Sequence, residues 1–529
     1  MNAISIFNHV IGPVMRGPSS SHTAGAFHIA AMARSLLGGA PAKAVFSFDA
    51  DGSYAKCYEQ QGADLAFAAA LMGWPITDER FFDALDAAAD AGLHIEFAIR
   101  KLKDADHPNA VDIDLTSAGA RSWRRARRTL QARANSVGGG AVEFVRLGGW
   151  PVRLAGDAHE VAVETVRGAE ARALDLLARG EALLSEPSRQ EREGRSLLCV
   201  RRRSPLPQEA LDRLSALPGV RRVWAASPVF FVQSGEPIFA SAVEMIRLSR
   251  ERGASLGRLA LDYEAALLGL SEAEVLAEMG RRLDVMQRAV HRGLDHPPLR
   301  MQLLSPSAGR IFEAEARGAL PVGGLHTRAA ARALAVMHVN SSMGVVCAAP
   351  TGGSAGTLPA VVVTLVEEKG LGREEAALAL LAAGAVGVVV ANRATFAAEV
   401  AGCQVEIGAA GAMAAAAAVE AAGGSAEQAA DAAAIAFQNT MGSVCDLVQG
   451  IVEIPCHTRN AAAAANAFLC ADLILGGYAN PIPLDETIDA VYAVGRMLPA
   501  DLRCTALGGI AATPSAMAMK RRSLRGDHA

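Results

Sequence analysis

From about residue 237 onward, the sequence consists mainly of alanine-rich segments with helical periodicity, separated by loops that Gly and Pro mark. Aromatic residues make up only 5% of the chain although 51% of it is hydrophobic. A core must therefore be built from Ala, Val, Leu and Gly, whose small side chains let helices pack at short interaxial distances. This pattern predicts a mostly α-helical domain over residues 237–529.

Residues 1–150 show a different pattern, and 529 residues exceed what one hydrophobic core usually serves. Short β-branched and aromatic runs alternate with segments of helical period, which predicts an α/β domain. The predicted strands are Ala44–Phe48, Leu93–Ile99 and Ala141–Leu147, and the predicted helices are Ala24–Leu37, Asp64–Met72 and Arg121–Arg133.

Residues 151–236 predict a third, smaller unit in which strands and helices alternate. The strands are expected at His159–Val166, Ser196–Arg202 and Val220–Val232, and the helices at Gly168–Leu177 and Gln208–Leu217. This order favours a ferredoxin-like unit of the ACT type, with the charged segment Ser185–Arg195 as an exposed loop. A regulatory amino-acid site and a structural spacer both remain open for it. The fold class expected for the whole chain is α+β multidomain.

Charge and hydropathy limit the partners of the chain. A net charge of −4 and a pI near 6.3 give no reason to expect nucleic acid or an anionic membrane as a partner. The apolar run Ala376–Ala391 is shorter than the roughly 20 residues that span a bilayer, so we expect a buried core helix there. The N-terminus lacks the pattern of a signal peptide. We therefore expect a cytoplasmic protein whose eight cysteines are reduced thiols or metal ligands.

Two loops rich in hydroxyl groups or glycine precede apolar helices. The first, residues 17–25, carries Ser19, Ser20, Ser21, His22 and Thr23. Backbone N–H groups at a helix start, with hydroxyls beside them, suit a carboxylate or phosphate, although a capped helix needs only one hydroxyl. The second, residues 350–356, contains Thr351, Gly352, Gly353 and Ser354 and also suits a carboxylate, or is an ordinary interhelical loop. Weaker signals are His107-Pro108-Asn109 and the segment from Asn135 to Gly140.

Three cysteines in the last quarter of the chain are candidate metal ligands. Cys445 follows Cys403 by 42 residues (445 − 403), and Cys456 follows Cys445 by 11 (456 − 445). This is neither a zinc pattern nor a ferredoxin pattern. Three buried structural cysteines would explain the spacing, because free Cys packs as a small hydrophobe. Polar and Gly or Pro neighbours favour ligands, and spacing alone leaves the choice open.

Read together, several long motifs resemble the iron–sulfur-dependent L-serine dehydratases. They are GPSSSHTAG at 17–25, NSVGGG at 135–140, MGVVCAAPTGGSAG at 343–356, GCQVEIG at 402–408, VCDLVQGIVEIPCHTRN at 444–460 and LGGIAATP at 507–514. The resemblance covers most of the chain, in the family's order. It implies a natural fusion of the family's β-type region (1–150), an ACT-like unit (151–236) and its α-type catalytic region (237–529).

The resemblance also implies a chemistry. Cys403, Cys445 and Cys456 match the cysteines that hold a [4Fe–4S] cluster with one open iron, a Lewis acid for the 3-hydroxyl of L-serine. Loss of the Cα proton then gives elimination to pyruvate and ammonia. His22 and His107 are the candidate bases. The implied substrate contacts are Ser19, Ser20, Ser21, Thr23, Asn109, Asn135, Thr351, Gly352, Gly353, Ser354, Arg459 and Asn460, with the two loops contributed by different domains. Family members commonly form homodimers.

The sequence also departs from the family pattern. A Gly-His-Gly-Thr-Asp segment is replaced by residues 60–64, a Gly-Gly-Asp-Ala segment by residues 305–311, Asp-Pro by Asp446-Leu447, and Arg-Glu-Thr by Arg503-Cys504-Thr505. These changes motivate two alternatives. One keeps the chemistry but takes L-threonine or another β-substituted amino acid. The other is a non-catalytic amino-acid-binding protein whose cysteines hold zinc or nothing.

Overall fold

The computed structural model describes residues 3–118, 128–295 and 298–522. The chain divides into two compact units. Unit 1 comprises Met1–Thr23 and Gly235–Ala529, and unit 2 comprises Ala24–Ser234. The first 23 residues therefore belong with the helical region and not with the α/β region in which the sequence had placed them.

The strands are β1 Val14–Arg16, β2 Pro41–Asp49, β3 His94–Arg100, β4 Ala110–Ser117, β5 Thr129–Gly138, β6 Ala141–Leu147, β7 Trp150–Leu154, β8 His159–Val166, β9 Ser188–Arg192, β10 Arg195–Arg202, β11 Val220–Ala226 and β12 Val345–Cys347. The helices of unit 2 are α1 Gly25–Leu37, α2 Tyr54–Cys57, α3 Ala63–Met72, α4 Ala84–Asp90, α5 Glu170–Leu177 and α6 Gln208–Ser215.

The helices of unit 1 are α7 Ala242–Arg252, α8 Leu256–Leu268, α9 Glu272–Leu294, α10 Ala308–Ala316, α11 Leu325–Ser341, α12 Thr357–Lys369, α13 Arg373–Arg393, α14 Ala398–Ala401, α15 Ile407–Ala421, α16 Ala426–Thr440, α17 Cys456–Leu475, α18 Leu484–Met497 and α19 Pro514–Ala518. Short helical turns also occur, among them Ile6–Val10, Ser20–Ala24, Gly352–Ser354 and Cys403–Val405.

A six-stranded sheet in the order β3-β2-β4-β5-β6-β7 forms the first half of unit 2. Only β2 and β3 run parallel, and the other neighbours are antiparallel. Phe46 and Phe48 of β2 lie within 6.1 Å, centroid to centroid, of Phe67 on α3, so aromatic rings fix this helix on the sheet. The predicted α/β class is corrected to α+β, because antiparallel hairpins replace most of the expected crossovers.

Strand β5 corrects the helix predicted for Arg121–Arg133. Residues 119–127 lie outside the described residues, but Thr129–Gly138 is a strand paired with β4 and β6. Leu130 is buried between exposed neighbours, and Arg133 is buried through its ion pair with Asp112, 2.5 Å between Nε and Oδ1. Pairing with two neighbouring strands outweighs the local helical preference of this segment.

The second half of unit 2 has the chain order β8-α5-β9-β10-α6-β11. Its four strands form an antiparallel sheet in the order β11-β8-β10-β9. The predicted loop Ser185–Arg195 contains β9, and it is corrected accordingly. This edge strand pairs with β10 but is mostly exposed and charged, so no buried alternation marked it in the sequence. Strand β7 straddles the predicted boundary at residue 150 and belongs to the six-stranded sheet.

Unit 1 is largely helical, as its composition predicted. Helices α13 and α15 are buried along most of their lengths. Gly384 and Gly387 let α13 approach the N-terminal turn: a Cβ there would lie 2.6 Å from Ile6 and 2.1 Å from Val10. Among the described residues, α13 alone is long and apolar enough to cross a membrane, but most of it is buried in the protein. The predicted core helix Ala376–Ala391 is therefore confirmed.

A two-stranded antiparallel pair brings the start of the chain into unit 1. Strand β1 pairs with β12, with Val14 opposite Cys347 and Arg16 opposite Val345. The loops that follow these strands, residues 17–23 and 350–356, both belong to unit 1. The expectation that two different domains contribute these loops is wrong for the two compact units observed.

Candidate active site

The three predicted ligand cysteines lie in one buried cluster of unit 1. Cys403, Cys445 and Cys456 pack together with apolar side chains that include Met337 and Ile407, and each is at most 7% exposed. Burial raises the pKa of Cys403 to about 12 and also raises the pKa of Cys456. Thiols in such surroundings stay protonated unless a metal compensates the charge of the thiolate.

The backbone around each cysteine is tightly constrained. Gly402, with φ +77°, precedes Cys403, and a Cβ at Gly402 would lie 2.7 Å from both Leu498 and the carbonyl oxygen of Ser443. The N–H of Cys445 donates to Leu502 (2.9 Å), and its carbonyl accepts from the N–H of Cys504 (2.8 Å). Cys456 begins α17.

The three candidate ligands offer thiol groups, which as thiolates are the usual ligands of iron–sulfur clusters. Within residues 3–118, 128–295 and 298–522, no three His, Cys, Asp or Glu side chains converge on a position for one metal ion. Cys403, Cys445 and Cys456 nevertheless belong to one buried cluster of side chains. Arg459, ion-paired with Asp446 at 2.9 Å, supplies a positive charge that interacts with the thiols of Cys403 and Cys456.

The first hydroxyl-rich loop folds back on itself as a helical turn. The N–H of His22 donates to Oγ of Ser19 (3.1 Å), and the same Oγ lies 3.3 Å from Nδ1 of His22. Ser20 and Thr23 are buried, and Ser21 is partly exposed. Burial lowers the pKa of His22 to about 4, so its imidazole is neutral near pH 7.

The second loop touches the first. The N–H of Gly352 donates to Oγ of Ser20 (3.4 Å), and a Cβ at Gly352 would lie 3.0 Å from the nitrogen of Ser20. A larger residue at position 352 would therefore press against the first loop. Ser354 bonds Thr351 within the loop, 3.1 Å between hydroxyls.

A carboxylate that the sequence interpretation missed faces this second loop. Thr351 donates its hydroxyl to Oε1 of Glu406 at 2.8 Å. Burial raises the pKa of Glu406 to about 8, and the charge of Glu399 adds to the rise. Glu406 belongs to the GCQVEIG motif, from which only Cys403 was predicted as a site residue.

Asn460 connects the second loop to the third cysteine and is fully buried. Its Nδ2 donates to the carbonyl oxygens of Gly353 and Cys456, both at 2.9 Å. Its Oδ1 accepts from the N–H of Gly356 (3.2 Å) and the hydroxyl of Thr357 (2.9 Å). All of its hydrogen-bonding groups are therefore engaged inside the protein. Asn460 stabilises the loop beside the cluster.

The remaining predicted site residues, His107, Asn109 and Asn135, lie in unit 2. The N–H of Asn109 donates to Nδ1 of His107 at 3.0 Å, and the N–H of Ser136 to the carbonyl of Asn109 at 3.2 Å. Burial lowers the pKa of His107. The amide oxygens of Asn109 and Asn135 are buried and have no hydrogen-bond partner among the described residues. The fold thus gathers these three residues at one place in unit 2.

Cys504 is a further residue of the cysteine cluster that sequence spacing did not assign. It packs against the cluster, and its thiol hydrogen-bonds that of Cys445. Its backbone has φ +64°, which a non-glycine residue adopts only when its surroundings enforce it. The sequence signal was the replacement of Glu by Cys in the Arg-Glu-Thr segment.

Comparison with known proteins shows which family the helical region resembles. The family model for the serine dehydratase alpha chain matches residues 214–511. The probable L-serine dehydratase alpha chain of Bacillus subtilis (strain 168) is 38% identical over 289 residues, which is 55% of this chain and 96% of that protein. The L-serine dehydratase alpha chain of Peptoniphilus asaccharolyticus is 37% identical over 286 residues, 54% of this chain and 98% of that protein.

A longer relative matches over the same region. L-serine dehydratase 1 of Escherichia coli (strain K12) is 32% identical over 282 residues, which is 52% of this chain and 61% of that protein. The family resemblance inferred from the motifs is confirmed. With a family model that covers more than half of its length and a buried cysteine cluster inside that region, the chain belongs to the serine dehydratase alpha-chain family.

Proposed function

We propose that this chain is an L-serine ammonia-lyase, which converts L-serine into pyruvate and ammonia. The observation that carries the proposal is the match to the serine dehydratase alpha chain over residues 214–511, a region that contains all three buried cysteines. The relatives named above are L-serine dehydratases by their descriptions.

We propose a [4Fe–4S] cluster as the cofactor, held by Cys403, Cys445 and Cys456. Their common burial and the cationic Arg459 beside them support this assignment. When bound, the cluster supplies a Lewis acid that makes the 3-hydroxyl of the substrate a better leaving group.

The side chains of the chain itself bind the substrate and move the proton. The loop Ser19–Thr23 offers hydroxyls and backbone N–H groups for the substrate carboxylate, beside Gly352 and Gly353. His22 is the first candidate to accept the Cα proton, because its imidazole belongs to the same loop as these hydroxyls. His107 is the second, with Asn109 and Asn135 as substrate contacts whose buried amide oxygens are available.

The hydrogen bonds and ion pairs of the structure support other roles for four of the predicted substrate contacts. The hydroxyls of Thr351 and Ser354 bond to Glu406 and to each other, so we assign this loop a positioning role. Asn460 holds the same loop through internal bonds. Arg459 pairs with Asp446 and is proposed to orient the thiolates electrostatically.

We also propose that residues 151–236 form an ACT-like unit between a β-type region (1–150) and an α-type region (237–529). The βαββαβ order and the strand order β11-β8-β10-β9 support the ferredoxin-like assignment. A cytoplasmic homodimer is proposed on two grounds. The cysteines of the chain are free thiols. Leu469, Leu473 and Leu475 are exposed on one helix, as at an interface between subunits.

Product analysis tests the function and separates the substrates. Anaerobically reconstituted protein is supplied with L-serine or L-threonine, and pyruvate and 2-oxobutyrate are quantified. We expect pyruvate from L-serine at the higher kcat/KM. A preference for 2-oxobutyrate from L-threonine would transfer the proposal to that substrate. Formation of neither 2-oxo acid would favour the non-catalytic amino-acid-binding protein.

A further inference from the structure

Asn340, near the end of α11, is fully buried and is not among the predicted site residues. Its Nδ2 donates to the carbonyl oxygen of Pro18 at 3.2 Å. Its Oδ1 is buried and accepts no hydrogen bond from any residue that the structure describes. A buried amide with one unpaired group costs stability, so a purely stabilising role does not explain why an asparagine stands here.

Gly17 packs directly against Asn340. A Cβ added to Gly17 would lie 2.0 Å from the carbonyl oxygen of Asn340 and 2.4 Å from its Oδ1, so a larger residue does not fit at position 17 without displacing the chain. The N–H of Gly17 also donates to the carbonyl oxygen of Gly344 at 3.1 Å. Residues 17 and 18 are therefore fixed against the end of α11 by two hydrogen bonds and one close contact.

The hydroxyl-rich loop begins at the next residue, Ser19. Its turn is held together by internal hydrogen bonds, because the N–H of Thr23 donates to the carbonyl oxygen of Ser19 at 2.9 Å and the N–H of His22 donates to Oγ of Ser19 at 3.1 Å. A turn bonded in this way moves as a unit when its first residue moves. The position of its N–H and hydroxyl groups consequently depends on where the chain enters it, at Gly17 and Pro18.

We propose that Asn340 is a positioning residue for the carboxylate of the substrate. By fixing Pro18, it holds the loop Ser19–Thr23 in the arrangement that binds a carboxylate before the substrate arrives. The substrate then binds more tightly, because its binding does not have to order the loop. This inference rests on the proposed function and adds to it a residue that acts through the loop and not by touching the substrate.

The test replaces Asn340 by Ala in the full-length, anaerobically reconstituted protein. In Asn340→Ala the carbonyl oxygen of Pro18 loses its donor, and the substrate itself must draw the loop into place. We expect the KM for L-serine to rise about 5- to 100-fold, the range for one buried acceptor left without its donor. The kcat is expected to change by less than about threefold, because the loop of the saturated enzyme is back in its original position.

The matched control is Ser342→Ala at the same end of α11, where the hydroxyl is buried and has no hydrogen-bond partner among the described residues. This control should leave KM and kcat unchanged. The iron content and the midpoint of thermal unfolding of each variant are measured beside the kinetics. If Asn340 only stabilised the fold, Asn340→Ala would lower the midpoint and leave the KM of the iron-loaded protein unchanged, and that result would overturn the inference. A fall in kcat with an unchanged KM would overturn it as well.

Gly17→Ala is the second variant, and it decides the question if Asn340→Ala does not fold. Its added Cβ pushes the chain away from Asn340 at the entry to the loop. We therefore expect the same rise in KM at a nearly unchanged kcat. A KM equal to that of the wild type would contradict the inference.

These results remain distinct from failure of the proposed function. Wild-type protein that forms no pyruvate from L-serine contradicts the proposed function. The dissociation constant of L-serine, measured by calorimetry, then tests Asn340 without turnover. It should rise by the same factor in Asn340→Ala, and equal constants in the variant and the wild type contradict the inference.

Discussion

Replacing Asn460 by Asp changes one atom group at the centre of the candidate site. The Nδ2 of Asn460 donates to the carbonyl oxygens of Gly353 and Cys456, both at 2.9 Å, in a fully buried position. In Asn460→Asp an oxygen takes the place of that nitrogen, so both carbonyls lose their donor and face a negative charge. The acceptor bonds to Gly356 and Thr357 remain possible.

The expected loss of stability comes from the two carbonyl groups that lose their hydrogen-bond donor. Each buried acceptor left without a partner costs about 1–3 kcal/mol, which gives a loss of about 2–6 kcal/mol in the free energy of unfolding of unit 1. Because Gly353 shifts with its carbonyl, we also expect the KM for L-serine to rise. Asn392→Asp is the matched control, since its Nδ2 makes one exposed bond of 3.3 Å to Ala240, and it should cost less than about 1 kcal/mol.

The two units can be followed separately in one urea titration. Three of the four tryptophans, Trp74, Trp150 and Trp224, are described and belong to unit 2, and Trp123 lies outside the described residues. Tryptophan fluorescence therefore reports unit 2, and the helical circular dichroism signal mainly reports unit 1. We expect Asn460→Asp to lower the midpoint of the dichroism transition and to leave the fluorescence transition unchanged. An unchanged dichroism midpoint would refute the reasoning.

Two further predictions concern buried carboxylates outside the site. Glu264 is fully buried and accepts hydrogen bonds from the N–H groups of Ile6 (2.8 Å) and Phe7 (2.9 Å). Glu264→Gln should lower the midpoint of the dichroism transition by the equivalent of about 2–4 kcal/mol. An unchanged midpoint would contradict the idea that Glu264 anchors the N-terminal turn. Burial raises the pKa of Glu160 from 4.5 to about 8, with Asp157 adding to the rise. Folding therefore keeps Glu160 protonated, and this group's contribution to stability is full below pH 4.5 and declines up to about pH 8. Glu160→Gln should become more stable relative to wild type over this range, by roughly 2–4 kcal/mol in the fluorescence transition, and a constant difference would contradict the shift.

Local sequence patterns predicted many elements well. The strands β6 and β8 begin and end where hydrophobic alternation placed them. A capping box, which the pattern Ser271-x-x-Glu274 already shows in the sequence, begins α9. These segments were predictable because neighbouring residues alone determine their caps and periodicity.

Pairing between distant segments was not predictable. Strand β5 exists because β4 and β6 supply its partners, and β9 exists because β10 has an edge to pair with. The membership of residues 3–23 in unit 1 depends on the pairing of β1 with β12, more than 300 residues later in sequence. A single sequence contains no signal for such register.

The sequence predicted individual residues of the candidate site, but it did not predict the hydrogen bonds between them. The motifs identified the cysteines and both loops, and the fold places them in unit 1. The sequence did not predict that Thr351 donates a hydrogen bond to Glu406, or that the side chain of Asn460 bonds only to other groups of the protein. These contacts depend on the directions of side chains from three separate segments. His107 remains a predicted base, and Asn109 and Asn135 remain predicted substrate contacts.

Iron analysis of the anaerobically purified protein tests the central claim most directly. The account predicts a brown protein with about four irons per chain, bleached by oxygen. Cys445→Ala should lose this iron and the colour. Cys470→Ser should keep both, because Cys470 is buried on α17 beside Asn439 and outside the cysteine cluster. A colourless wild-type protein, or a Cys445→Ala variant that keeps its full iron content, would contradict the account.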